Sequence, residues 1–231
     1  LYNLFCSNKE FEWCVRRWFM IPSSSIRPNV QNNYIIHNEG LNIRDLLLDL
    51  NARDIGDKQK DSELSCILQK MINPSGGDGN CSGCALHACM ALLGYGIREA
   101  PASNQISEYM TGFFNRHHEQ IQGEGGVAAD NQTYDSFRKD IENHIITNTE
   151  PESAVMLSIE QSAHWIAAYN DGHRVWFLDV QTGQGFNLYD SVEKDPLAFV
   201  DEGTSVQIVK VSKEEFENYS NSESWKNKRI C

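Results

Sequence analysis

From Leu41 onward the apolar positions follow two successive rhythms. The first is helical. Leu46, Leu47 and Leu50 predict a short helix ending near Gly56. Leu64, Ile67, Leu68 and Met71 keep the i, i+3, i+4, i+7 spacing of one helical face, and the pattern stops at Asn73 and Pro74. Residues 81–93 read as a third helix closed by Gly94. A fourth carries Ile106, Tyr109, Met110, Phe113 and Phe114, and a fifth carries Tyr134, Phe137, Ile141 and Ile145. After Pro151 the rhythm changes to β-branched and aromatic runs, AVMLSIE, HWIAAYN, RVWFLDV and SVQIVKV, with turn residues between them. Helices first and a largely antiparallel sheet afterwards is an α+β layout. Residues 1–40 stand apart. They are aromatic-rich, then turn-rich through IPSSSIRPNVQNNY, which predicts a short helix and an irregular arm of unassigned role ahead of a domain spanning 41–231.

The run HWIAAYNDGHRVWFLD carries the most geometric information. Asp171-Gly172 between two apolar runs is a two-residue hairpin signal, because glycine readily takes the positive φ of such turns. That turn would set Asn170 opposite His173 and therefore His164 opposite Asp179. Directly opposed residues have Cβ atoms about 4.5–5.5 Å apart, within reach of an imidazole–carboxylate hydrogen bond. Ile166, Ala168, Val175 and Phe177 fall on one face of this hairpin, and Trp165, Ala167, Trp176 and Leu178 on the other. A hairpin apolar on both faces should be buried on both. His164 and Asp179 could close the end of the sheet structurally, or form a general base with its orienting carboxylate. The second role requires a nucleophile.

Bulk properties narrow the chemistry. The 231 residues suit one domain of ordinary globular composition, with an appended arm. A formal net charge of -12 argues against nucleic acid and against an anionic membrane surface, and favours a partner with a basic face. Seven cysteines, odd in number and unevenly spaced, predict free thiols in a reducing compartment. No apolar run approaches the roughly 18 residues of a membrane span, and charges interrupt FEWCVRRWFMIP where a signal peptide would need an apolar centre.

Cys81, Cys84, His87 and Cys89 lie close together behind the run SGGDGN, and three chemistries fit them on paper. A zinc site would need all four ligands to converge, yet on a helix His87 points about 120° away from Cys81. A CxxC redox pair would want a βαβ setting, whereas a helix precedes this one. The third reading is a nucleophile. The glycines turn the chain sharply, Asp78 or Asn80 caps the helix, and Cys81 arrives in its first turn, where the dipole favours a thiolate and free amides can hold an oxyanion. The His164–Asp179 pair then supplies base and orienter, in the chain order Cys, His, Asp. Cys84, His87 and Cys89 become packing residues, with Cys84 near enough for oxidation to cap Cys81.

Several segments, among them KDSELSCILQKMINPSGGDGNCSGCALHACMALLGYGIREAP, ISEYMTGFF, SIEQSAHWIAAYNDG, FLDVQTGQGFNLYD and SESWKNKRIC, resemble the OspI-type family of type III secreted glutamine deamidases. The likeness runs from about residue 41 to the C-terminus. It implies a papain-like fold, with a helical N-terminal part packed on a mainly antiparallel sheet. It also implies a catalytic Cys81, His164 and Asp179, and no metal or organic cofactor. The implied reaction is deamidation of a glutamine in a host ubiquitin-conjugating enzyme, which presents a basic helix. The implied setting is a monomer delivered by type III secretion into the host cell cytoplasm, where it damps inflammatory signalling. Residues 1–40 have no counterpart in the family, and would hold any secretion signal. Papain-like enzymes place a Gln six residues ahead of the Cys, where Ser75 stands here. The Cys81 N–H is expected as one oxyanion donor, and the second is unassigned. A papain-like cysteine protease with the same triad is the alternative, and a non-catalytic binder of the same partner is the rival from another class.

Overall fold

The computed structural model describes residues 42–77, 79–102, 127–128, 134–159, 164–185 and 205–226. The arm over 1–40 and the predicted helix at Ile106 to Phe114 lie outside the described residues. The chain forms α1 (Ile43–Ala52), α2 (Asp57–Ile72), α3 (Cys81–Leu92), β1 (Val127–Ala128), α4 (Tyr134–Asn148) and β2 (Ser153–Ile159). It continues through β3 (His164–Asn170), β4 (Val175–Asp179), β5 (Gln184–Gly185), β6 (Ser205–Lys210), α5 (Lys213–Ser220) and α6 (Glu223–Lys226). The six strands make one antiparallel sheet in the order β1-β6-β2-β3-β4-β5. The α+β class is the one the two rhythms predict. Not anticipated were the two-residue strands β1 and β5, too short for a periodic signal, and the C-terminal helices α5 and α6. The first of those helices does carry a capping box, Ser212 with Glu215.

The two apolar faces of the β3–β4 hairpin each cover a separate core. Trp165, Ala167, Trp176 and Leu178 pack with α1, α2 and α3, while Ile166, Ala168, Val175 and Phe177 pack with Ile141 and Ile145 of α4. Helix α3 lies against β3 and β2 and is buried at every position from Gly83 to Leu92. A helix apolar all round has to be a core helix. Gly83 permits its closest approach to the chain beyond it, because a Cβ there would stand 3.1 Å from Pro101 Cδ.

The hairpin register departs from expectation. Asn170 pairs with Val175, not His173, and Tyr169 pairs with Trp176. The turn therefore spans four residues, Asp171 to Arg174, and Asp171 builds it. Its Oδ1 accepts the N–H groups of His173 and Arg174 at 2.8 and 2.9 Å, and its own N–H donates to Arg174 O at 3.1 Å. Its Oδ2 accepts from Trp176 Nε1 and Asn51 Nδ2 at 2.7 and 2.9 Å. Four-residue hairpin loops of this kind are built on a turn that an Asp initiates. The shift amounts to two residues, so each side chain keeps its face; a one-residue slip would have reversed them all.

A buried ionic cluster joins the layers beside this turn. Asp61 of α2 is fully buried and bonds Arg138 of α4 at 2.6 Å and Arg174 of the turn. Arg138 lies over the Phe177 ring and Arg174 over the Trp176 ring, on opposite faces of the sheet, with Cζ 4.8 and 4.4 Å from the centroids. Burial pushes the Asp61 carboxyl up to about 6 against the pull of Arg174 and Arg138. Asp61→Ala would strand both guanidiniums without their shared anion. It is expected to cost about 3–5 kcal/mol in chemical denaturation, against less than about 1 kcal/mol for the exposed pair between Arg44 and Glu152.

Candidate active site

Cys81 opens α3, His164 opens β3 and Asp179 closes β4, so each group stands at the end of an element. The β3–β4 register, continued past its last pair, sets Asp179 level with Ile166 and therefore diagonal to His164 on the same face. Diagonal neighbours are farther apart than direct ones but within reach of long side chains. His164 Nε2 and Asp179 Oδ2 meet at 2.9 Å. With Nε2 so engaged, Nδ1 is the ring nitrogen left for the hydrogen bond to the Cys81 side chain.

These contacts decide the charge of the ring. Burial by itself would lower the His164 pKa, but the hydrogen bonds the ring makes to Asp179 and Cys81, with their charges, outweigh it and raise it from 6.5 to about 10. Near neutral pH the imidazole is therefore an imidazolium. Asp179 is buried, at 3% exposed, and its Oδ1 accepts the Gln181 and Thr182 N–H groups, each at 3.2 Å. Both carboxylate oxygens are thereby used, one by the loop and one by the ring. The loop closes with the Gly183 N–H on Asp179 O at 2.9 Å. Gly183 has φ +77°, a left-handed backbone that glycine adopts without strain.

The loop ahead of Cys81 is held by buried carboxamides. Asn80 occupies the N-cap position but makes no side-chain bond to the first turn. Its Nδ2 instead donates to Asn73 Oδ1 and Pro101 O, both at 3.1 Å. Asn73 also accepts the Gly77 N–H at 3.1 Å and donates to Gln181 O at 3.2 Å. The first-turn amides of α3 are thus left uncapped by Asn80, and such amides can receive a developing negative charge. The predicted cap is in this respect corrected: Asn80 is a crossbrace, and Asp78 lies outside the described residues. Asn73, Asn80 and Gln181 were not singled out as site residues. Asn80 and Gln181 lie inside two short motifs, NC at Asn80-Cys81 and DVQTG at Asp179 to Gly183, whereas Asn73 signals only the end of a helix.

The other members of the cysteine cluster sit apart from this arrangement. Cys84 and Cys89 are buried free thiols, pushed far up by burial, and Cys81 is a free thiol that is half-exposed. His87 is buried between Arg98 O and the Tyr219 hydroxyl, at 3.0 and 2.8 Å from its two nitrogens. Among the described residues no group of three or more His, Cys, Asp or Glu side chains is placed to share a metal ion. None of the described helices is long and apolar enough to cross a membrane.

A half-exposed thiol, an imidazolium and a buried carboxylate in series can carry acyl transfer: attack by sulfur, protonation of a leaving nitrogen, and activation of water. The family model described as Shigella glutamine deamidase OspI matches residues 42–212, well over half of the chain. No curated protein matches the sequence.

His164 is expected to titrate near 10 when its ring carbons are followed by NMR. Its raised pKa makes the charged pair's contribution to stability full below about 6.5, the value of a free imidazole, and lost as pH rises through about 10. Asp179→Asn should move the transition down toward 6.5; an unmoved transition would show that Asp179 does not hold the proton on the ring.

Proposed function

The chain belongs to the glutamine-deamidase family of Shigella OspI, and from that membership we propose that it deamidates a protein glutamine through a Cys81–His164–Asp179 triad. The observation that carries the assignment is the His164 ring, bonded to the Asp179 carboxylate and near enough to Cys81 for the thiol to raise its pKa. Cys81 attacks the glutamine Cδ as a thiolate, forming a carbon–sulfur bond, and the oxyanion settles on the uncapped amides at the start of α3, the Cys81 N–H among them. The proton on His164 passes to the carboxamide nitrogen, the carbon–nitrogen bond breaks, and ammonia leaves. Water then gives a proton to His164 and its oxygen to the acyl carbon. The carbon–sulfur bond breaks, leaving glutamate and the restored thiolate–imidazolium pair. Asp179 keeps the ring in one orientation throughout. The reaction needs no metal or organic cofactor.

The nucleophile on a core helix, with base and orienter on an antiparallel sheet, is the arrangement of a papain-like fold, and we assign the domain over 41–231 to it. Resemblance to the family supports a ubiquitin-conjugating enzyme of a host cell as substrate. It also supports delivery by type III secretion into the host cytoplasm, with loss of inflammatory signalling as the consequence. The charge of -12 suits the basic face such a substrate presents. In this reading residues 1–40 lie outside the deamidase domain, and the enzyme acts as a monomer.

Incubation with candidate ubiquitin-conjugating enzymes, read by intact mass and peptide mapping, is expected to give one amide-to-acid change and no fragments. Cleavage products would instead mark a cysteine protease. Cys81→Ala and His164→Ala should each lower kcat by about 10⁴-fold or more while retaining the circular dichroism of the parent. Loss of the substrate's conjugating activity that persists in Cys81→Ala would mark a binder.

A further inference from the structure

One residue reaches both halves of the site. The Gln181 N–H donates to Asp179 Oδ1 at 3.2 Å, and so helps to set the carboxylate whose other oxygen meets His164. The Gln181 side chain runs the opposite way, to the loop that delivers Cys81. In one orientation its nitrogen meets Asn80 Oδ1 and Gly77 O at 3.2 and 3.5 Å. Turned over, its oxygen accepts the Gly79 and Asn80 N–H groups at 2.9 and 3.2 Å. The second orientation satisfies two backbone donors that the first leaves facing a nitrogen, in exchange for the bonds to Asn80 Oδ1 and Gly77 O.

Those two N–H groups belong to the last two residues before Cys81. Apolar packing fixes α3 from Gly83 onward, whereas Cys81 and Ser82 are half-exposed. The chain ahead of them turns at Gly76 and Gly79, both at positive φ, and glycines add no stiffness of their own. Cys81 packs against the edge of the core, and the position of its thiol relative to the ring depends as well on polar contacts across the gap between this loop and the one after β4.

We propose that Gln181 is a positioning residue for the deamidation: its main chain orients Asp179 while its side-chain oxygen fixes the entry to α3, so that Cys81 is held in register with His164. The inference rests on Cys81 being the nucleophile, as argued above. Gln181 touches neither the reacting carbon nor the leaving nitrogen. It acts through the two backbone amides of Gly79 and Asn80, and a misplacement of about 1 Å at a reacting atom can cost about 10²-fold in rate.

Gln181→Met keeps the length of the side chain and the main-chain N–H bond to Asp179 but removes the acceptor. Gln181→Glu keeps an acceptor oxygen. The methionine variant is expected to lose about 10- to 100-fold in kcat with KM changed by less than about threefold, and the glutamate variant to recover most of that loss. NMR of His164 provides a readout that a merely structural role would not move. Cys81 helps to hold the proton on the ring, so the transition should fall in Gln181→Met while the protein remains folded. A methionine variant with parental kcat and an unmoved His164 transition would overturn the proposal, as would a glutamate variant no better than methionine. Turnover by Cys81→Ala would instead overturn the nucleophile assignment beneath it, so the two failures are distinguishable.

Discussion

His164 and Asp179 meet at 2.9 Å across the end of a hairpin buried on both faces, and the proposed chemistry depends on that contact. A carboxylate buried at the end of β4 would be costly without partners. Here the loop after the strand takes one oxygen and the imidazole takes the other. The same bond keeps the ring charged and leaves its second nitrogen for Cys81. Orientation, protonation and access to the thiol thus follow from one placement of two residues on adjacent strands. The bond tolerates a shift of two in the strand pairing because both residues keep their face, and a shift of one would abolish it.

The rest of the fold keeps that placement rigid. Helices cover the hairpin on both sides, so β3 and β4 cannot flex toward solvent to relieve a misfit. Asp61 with Arg138 and Arg174 ties the two helical layers around the turn at the far end of the strands. At the near end, Asn73, Asn80 and Gln181 tie the loop ahead of Cys81 to the loop after β4. Buried ionic and amide networks contribute little net stability compared with apolar packing of equal volume. What they do supply is directionality, and an enzyme whose reacting groups sit on separate elements requires it.

Much of this was legible in the chain. The helical and strand rhythms located α1 to α4 and four strands, because each segment is amphipathic or apolar at its own period. The alternation from Trp165 to Leu178 assigned the hairpin's own residues to the two cores correctly. The two-residue turn was misjudged because Asp171-Gly172 is a local signal. The Asp171 side chain closes a longer loop by accepting the His173 and Arg174 N–H groups, and it is braced there by Trp176 and by Asn51 far back in the chain. The carboxamide braces were illegible for a related reason: Asn and Gln carry no periodicity, and the bonds that join Gln181 to Asn73 and Asn80 span around a hundred residues. His164 and Asp179 could be paired from sequence because a hairpin brings them together locally. Joining Cys81 to them took the chemistry of the nucleophile.

The central claim is that sulfur and carbon are joined during turnover, with the substrate glutamine held as a thioester on Cys81. The most direct test is turnover in the presence of hydroxylamine, followed by peptide mapping of the substrate. A thioester open to small nucleophiles predicts a glutamyl hydroxamate at the same residue that otherwise becomes glutamate, rising with hydroxylamine concentration at the expense of the acid. Glutamate as the sole product at every concentration would contradict the acyl-enzyme account and point to direct attack by water.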